Sequence, residues 1–190
     1  MTIRRTLLRR LFAPVIARGH KFARDEKAAT TIEFAILALP FFTIIFAILE
    51  TVTVMFATSV LDSAIEDASR LIRTGQAQAA AFTPADFRAK MCGYTFNLFG
   101  ANCNSVRLRV TVLNDFASAI TAPTIQTCDT ATCTWTLAET YDPGVGRQII
   151  QIQAYYRWPL IVTLPYFNLK NQPDNYRMIS AVRVFRNEPF

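Results

Sequence analysis

The feature that most constrains this chain is the junction between a basic N-terminal leader and a long apolar run. Residues 1–27 contain eight basic and two acidic residues. The run Phe34–Leu49 has no charged residue, and residues 51–61 are again uncharged after the single Glu50. At 1.5 Å per residue, a helix over residues 34–57 would be about 36 Å long, enough to cross a bilayer core of about 30 Å. The junction therefore predicts one membrane-spanning helix.

The distribution of charge predicts the orientation of that helix. Positive charge concentrated on one flank places that flank in the cytoplasm, so the C-terminal part is expected on the far side of the membrane. The leader accounts for the whole formal net charge of +6, because 12 basic and 12 acidic residues remain elsewhere. An excess of basic residues confined to one membrane flank indicates a role in membrane orientation or lipid contact rather than in nucleic-acid binding. No nucleic-acid partner is therefore expected.

The four cysteines all follow the apolar run, which indicates disulfides in an oxidising compartment. Zinc is the alternative, but no Cys-x-x-Cys pair occurs and the only histidine, His20, is in the leader. Four cysteines allow three pairings. Local pairing of Cys92 with Cys103 and of Cys128 with Cys133 is preferred because each bond would close a short loop; free buried thiols are the other possibility.

An amphipathic pattern follows the apolar run directly. Its apolar residues recur at spacings of three and four, with charged residues between them: Leu61, Ala64, Ile65, Ala68, Leu71 and Ile72. The simplest structure is one helix from about Ala29 to Thr74, kinked near Pro40 and stopped at Gly75. Its first part would lie in lipid and its second part would pack against a folded domain. A second, short helix is expected after the N-cap Thr83, ending near Lys90.

The C-terminal half changes to a period of two, which predicts strands. Three clear strands and a weaker one are expected: Val106–Leu113, Gln148–Trp158, Tyr176–Arg186 and, weaker, Thr132–Ala138. Asp142-Pro143-Gly144 predicts a hairpin between the weak strand and the one that follows it. The predicted fold class is therefore α+β, with a long N-terminal helix packed on one apolar face of a small antiparallel sheet.

A motif at the start of the apolar run could be a prepilin-peptidase site. Cleavage between Ala28 and Ala29 would remove the basic leader and place Glu33 at the fifth position of the mature chain. A carboxylate at the edge of lipid is costly unless it is paired, and a free amine on a neighbouring subunit could pair with it. The alternative is a solvated carboxylate at the interface near Lys27. Ala28 departs from the glycine that usually precedes such a cut.

Other polar and aromatic residues are open to two interpretations. Glu50 would lie at the outer interface or, buried in lipid, would pair with a helix of another subunit. The aromatic residues of the outer region are explained by packing, with a ligand or partner surface as the alternative: Tyr155, Tyr156, Trp158, Tyr166 and Phe167. No histidine follows the leader and no phosphate-binding loop occurs, so we expect no enzyme, no cofactor, no metal and no small-molecule substrate.

Three stretches resemble TadE-like pseudopilins of the tight-adherence (Tad, or Flp) pilus system: Ala28–Leu49, Leu61–Arg73, and Ala181–Phe190 with its Phe-Arg-Asn-Glu-Pro ending. The resemblance implies a pilin-like component of pilus assembly in a bacterial inner membrane. It also implies processing by a prepilin peptidase that tolerates Ala28, and contacts with other pilin-like subunits and pilus assembly proteins.

The chain is thus expected to divide into a cytoplasmic leader (1–28), a long helix (29–75) and a periplasmic α+β domain (76–190). One alternative is a single-span periplasmic binding or adhesion module that keeps its leader as a signal anchor. Another is a secreted protein cut after the apolar run, which is disfavoured because that run is longer than a usual signal core.

Overall fold

The computed structural model of the protein describes residues 26–120, 123–162, 167–173 and 175–190. Its helices are α1 (Glu26–Arg73), α2 (Gln76–Ala79) and α3 (Pro84–Gly93). Its strands are β1 (Arg107–Leu113), β2 (Gln126–Cys128), β3 (Cys133–Trp135), β4 (Thr140–Tyr141), β5 (Ile149–Pro159) and β6 (Tyr176–Arg186). The predicted α+β class and the long N-terminal helix are confirmed. Most of the predicted leader lies outside the described residues.

The chain divides into two compact units, Met1–Ala47 and Ile48–Phe190. The second, called here the folded unit, contains the C-terminal part of α1, both short helices and all six strands. The apolar stripe predicted for α1 is buried in this unit, with Leu61, Ile65 and Ile72 completely inaccessible to solvent. The buried side begins earlier than predicted, at Val54 and Ala57. These residues belong to one core cluster with the apolar face of the sheet.

The end of α1 shows why a glycine follows it. Gly75 has a φ of 78°, a left-handed backbone conformation that residues with a Cβ atom rarely adopt. Its N–H donates to the carbonyl of Ile72 at 3.1 Å, which closes the last turn. A Cβ at this position would also lie 2.7 Å from the ring of Phe190. Both the backbone conformation and the packing therefore require glycine, and the predicted helix stop is confirmed.

A capping box starts α3. The Thr83 hydroxyl accepts from the backbone N–H of Asp86 at 3.2 Å, and the Asp86 carboxylate accepts from the N–H of Thr83 at 2.9 Å. Hydrogen bonds from the Thr83 hydroxyl and backbone lower the pKa of Asp86 below its usual value. The N-cap prediction is confirmed, and the helix extends three residues beyond Lys90 to Gly93.

The main sheet has the strand order β4-β1-β5-β6. β5 is central and pairs antiparallel with β1 on one side and with β6 on the other. Its pairing with β6 runs from Ile149 opposite Arg186 to Pro159 opposite Tyr176. The three clear strands predicted from alternation are present. The sheet is mixed rather than purely antiparallel, because the two-residue edge strand β4 runs parallel to β1.

The predicted hairpin between residues 132–138 and β5 is wrong. β3 instead pairs with β2 in a separate two-stranded sheet, which the Cys128–Cys133 disulfide closes. Both edges of β5 are already occupied by longer strands with stronger alternation, so the short β3 has no edge of β5 on which to pair. The turn at Asp142-Pro143-Gly144 follows β4 and leads into the segment before β5.

The second face of the sheet is also covered. Alternation predicts that Gln151 and Gln153 point away from the core, yet both are only 3% exposed. The Gln151 side-chain amide donates to the carbonyl of Ala119 at 3.2 Å, in a short 3-10 turn after β1. The connection between β1 and β4 therefore covers this face, and β5 is buried on both sides rather than half-buried.

Candidate functional site

The residues predicted for processing lie at the start of α1. Ala28 and Ala29 are in its first turn, and Glu33 is exposed one turn further on. Most large apolar side chains between Ile32 and Leu49 are 48–72% exposed. An apolar helix without protein covering is typical of a membrane span. By length and composition α1 could cross a membrane, while cleavage between Ala28 and Ala29 stays a prediction.

Glu50 has a partner within its own chain that the sequence did not indicate. Its side chain is buried, at 8% exposure, inside the folded unit. One carboxylate oxygen accepts from the backbone N–H groups of Ile161 at 2.6 Å and Val162 at 3.1 Å. The other oxygen accepts from the N–H of Val162 at 3.0 Å. Glu50 therefore does not depend on another subunit for a partner, because it binds the backbone of residues 161–162, directly after β5.

This arrangement satisfies both partners. A buried carboxylate needs hydrogen-bond donors, and the two consecutive amides supply them. The same contacts give the loop amides acceptors that no strand provides. Glu50 follows an uncharged run and Ile161 lies in a Leu-Ile-Val segment, and the two residues are 111 positions apart. No periodic signal in the sequence connects them, which is why sequence reasoning missed this contact.

The C-terminal segment that contributes to the family resemblance fastens β6 to the end of α1. Asn187 is buried, and its side-chain amide donates to the carbonyls of Pro143 at 3.0 Å and Val145 at 3.1 Å. The N–H of Glu188 donates to the carbonyl of Arg73 at 2.9 Å. These bonds close the end of the folded unit that contains the C-terminus of α1.

Two carboxylates of α1 contact the sheet edge. Arg183 on β6 forms ion pairs with Asp62 and, at 2.6 Å, with Glu66. The hydrogen bond to Asp62 is the main cause that raises the pKa of Arg183 above its ordinary value. Two charged residues that alternate with the buried stripe of α1 therefore form ion pairs with Arg183 of β6. Glu66 lies on the side of the helix that contacts this strand.

Both locally paired disulfides are present. Cys92 is joined to Cys103, 11 residues away, and Cys128 to Cys133, five residues away. The first bond lies in the core and connects α3 to the segment before β1. The second closes the β2–β3 hairpin near the protein surface.

A groove of about 390 Å³ lies beside that hairpin. It is lined by Asn104, Ser105, Arg107, Trp135, Tyr156, Arg157, Pro159 and Tyr176. The guanidinium of Arg107 lies 5.8 Å from the Trp135 ring centroid, and that of Arg157 lies 5.0 Å from the Tyr176 centroid. Arg107 also forms an ion pair with Glu139 at 3.6 Å, and Arg157 donates to the carbonyl of Cys133 at 2.8 Å, so both guanidiniums are held by the protein itself.

The aromatic residues singled out from the sequence do not form one cluster. Tyr156 and Trp158 pack edge-on against each other and against Phe99, which sequence reasoning did not include. Tyr155 is buried on the opposite face of β5, and burial raises its pKa. Phe167 is half-buried, and Tyr166 lies outside the described residues. Packing explains most of these rings. In the described parts of the chain, no group of three or more His, Cys, Asp or Glu could hold a metal ion.

The family model of TadE-like proteins matches residues 28–70. This region is similar to TadE-like proteins. The match starts at the predicted processing residues and covers most of α1, including the exposed apolar half and four of the six residues of the predicted stripe. It points to the Tad pilus system, whereas the rest of the folded unit, including the C-terminal Phe-Arg-Asn-Glu-Pro, lies outside the matched region. No curated protein and no solved structure matches the chain.

Proposed function

We propose that this protein is a pseudopilin-like component of Tad pilus biogenesis that acts in pilus assembly from the inner membrane. In this proposal α1 crosses the membrane once, with its N-terminus in the cytoplasm and the folded unit in the periplasm. The observation that carries the proposal is the extent of the TadE-like match, which joins the candidate processing site to the apolar helix in one segment.

A prepilin peptidase would cut between Ala28 and Ala29 on the cytoplasmic side. Removal of the basic leader leaves a free amine at Ala29 and Glu33 as the fifth residue of the mature chain. Glu33 is exposed on α1, so it is accessible to a neighbouring helix. In a low-dielectric environment the new amine of another pilin-like subunit would neutralise its charge.

The folded unit would act as a rigid body that contacts other pilin-like subunits and pilus assembly proteins. Two disulfides, the C-terminal fastening and the Glu50 contact support this role, because they tie its loops to α1 and the sheet. No catalytic role is proposed for the chain. Its part in assembly would come from the geometry of the surface that it presents above the membrane.

N-terminal sequencing of the mature protein, purified from membranes of the producing cells, tests the proposal most directly. A first residue of Ala29 is the expected result, and a chain that keeps its leader would overturn processing. Glu33→Gln should leave the protein in the membrane but lower the number of pili. Phe34→Leu, a neutral change at the next residue, is the control. Normal piliation by Glu33→Gln would rule out the pairing role of Glu33.

A second candidate is a single-span periplasmic binding or adhesion module that retains its leader. The groove beside the β2–β3 hairpin is the observation that favours it, because a groove of this volume lined by Trp135, Tyr156 and Tyr176 could hold part of a peptide. An intact leader together with saturable binding of a peptide, lost in Trp135→Ala, would favour this candidate over the pseudopilin.

A further inference from the structure

We propose that residues 160–162, the loop residues directly after β5, contact the surface of the lipid bilayer, with Ile161 inserted among the lipids and Glu50 holding these residues in place. The inference rests on the membrane anchoring in the proposed function, but it requires neither processing nor pilus assembly. It assigns a lipid contact to the folded unit itself, in addition to the span of α1.

The first argument is that these residues contact α1 at the end of its uncharged run. Glu50 is the first charged residue after the uncharged run Phe34–Leu49. A span that uses this run has its outer edge close to Glu50. Because the Glu50 carboxylate accepts directly from the N–H groups of Ile161 and Val162, the loop lies at that same edge.

The second argument is the exposure of Ile161. Its neighbour Leu160 is buried at 8% exposure, whereas Ile161 is 92% exposed. Its backbone is fixed by the Glu50 contact, so the side chain is presented outward by a hydrogen-bonded loop. Exposed apolar side chains of α1, such as Leu49 and Val52, extend the apolar surface at this end of the folded unit. A lipid environment would remove these side chains from water.

The third argument is the composition around the loop. In the β5–β6 pairing Trp158 lies opposite Arg177, and Pro159 lies opposite Tyr176. The Arg157 guanidinium stacks over Tyr176. Trp and Tyr side chains are enriched at both membrane–water interfaces, where the rings occupy the headgroup level.

The link to the membrane span favours lipid over a second copy of the chain, because Glu50 follows the uncharged run directly and binds Ile161 and Val162 at the edge of that span. The opposite end of the folded unit provides an internal control, because Val145 is also an exposed aliphatic residue, at 64%. Hydrogen bonds from the consecutive residues Asn187 and Glu188 hold Val145 close to Arg73. Arg73 is about 35 Å along α1 from Glu50 at 1.5 Å per residue.

The test places one environment-sensitive fluorophore on the full chain in liposomes that contain anionic lipid. All four native cysteines are in disulfides, so Ile161→Cys or Val145→Cys provides a single reactive thiol. At position 161 we expect blue-shifted emission, strong quenching by a lipid-attached quencher and several-fold weaker quenching by aqueous iodide than at 145. Equal iodide quenching at both positions would overturn the proposal. Shielding of 161 from both quenchers would overturn it too, because that result indicates a protein contact.

Glu50→Gln then tests the holding role. The amide keeps the size of the side chain but removes the charge that binds two N–H groups. With the label at 161, lipid quenching should fall towards the value at 145, while the disulfides stay intact. Unchanged lipid quenching would show that Glu50 does not hold the loop. Since liposomes contain no pilus machinery, these results are independent of leader cleavage and piliation.

Discussion

The two halves of α1 are both rich in apolar residues, but they are covered differently. Large apolar side chains between Ile32 and Leu49 are mostly more than half exposed, whereas Leu61, Ile65 and Ile72 are completely buried. The first half is apolar on every side. The second alternates its apolar residues with charged ones, so only one stripe is available for packing. Total hydrophobicity therefore does not identify the protein core in this helix; the placement of the charges does.

The largest effect that tests this comparison is expected from Ile65→Asp. The change puts an unpaired carboxylate into the core, which costs several kcal/mol out of a typical total of about 5–15. We expect the folded unit to lose protease resistance in detergent-solubilised protein. Ile36→Asp, in the exposed half, should instead lower membrane insertion and leave the protease resistance of the folded unit unchanged.

If Ile65→Asp keeps a protease-resistant folded unit while piliation is lost, the stripe acts as a surface between subunits and the distinction between the two halves fails. If Ile36→Asp also unfolds the folded unit, the exposed half contributes to its stability and the two halves do not differ in the way described.

A smaller effect tests where along α1 the helix becomes buried in the folded unit. Ala57 is completely buried, and Met55, two residues earlier, is 65% exposed. Ala57→Leu should destabilise the folded unit by about 1–3 kcal/mol, since added methylenes do not fit a packed core. Met55→Leu should be close to neutral. Urea unfolding of the solubilised protein, followed by near-UV circular dichroism, measures both. Equal midpoints would mean that the sheet does not cover α1 as far as Ala57.

Local patterns explain which parts of the fold could be predicted. The extent of α1, its stop at Gly75 and the three long strands follow from periodicity and turn residues that are neighbours in sequence. Pairing partners do not follow from such patterns. The Asp142-Pro143-Gly144 turn marks a change of direction, but it does not say which strands meet, so the predicted hairpin was wrong and the parallel β4 was missed.

The candidate site shows the same limit. The processing motif with Glu33 is a local spacing that can be recognised without any structure. The Glu50 contact depends on backbone N–H groups 111 residues away, and every residue except proline carries such a group. The side-chain amide of Asn187 similarly donates to backbone carbonyls more than 40 residues away. Contacts with backbone atoms leave no signature in the partner's sequence.

The smallest effect concerns Glu66, one of the charged residues that alternate with the buried stripe of α1. The structure pairs it with Arg183, but its side chain is 53% exposed and Asp62 shares the same guanidinium. Exposed ion pairs contribute about 0–1 kcal/mol, so Glu66→Gln should shift the urea midpoint only slightly. That shift should shrink at high salt, because salt screens exposed charges.

Asp67→Asn is the matched control, since it removes the same charge from an exposed neighbouring position of α1. A double-mutant cycle of Glu66→Gln with Arg183→Gln should give a coupling of at most about 1 kcal/mol. A larger coupling that persists in high salt would mean that the pair is shielded from water. Charged residues of the second half would then belong to its packed interface, and the contrast between the two halves of α1 would rest on more than the apolar stripe.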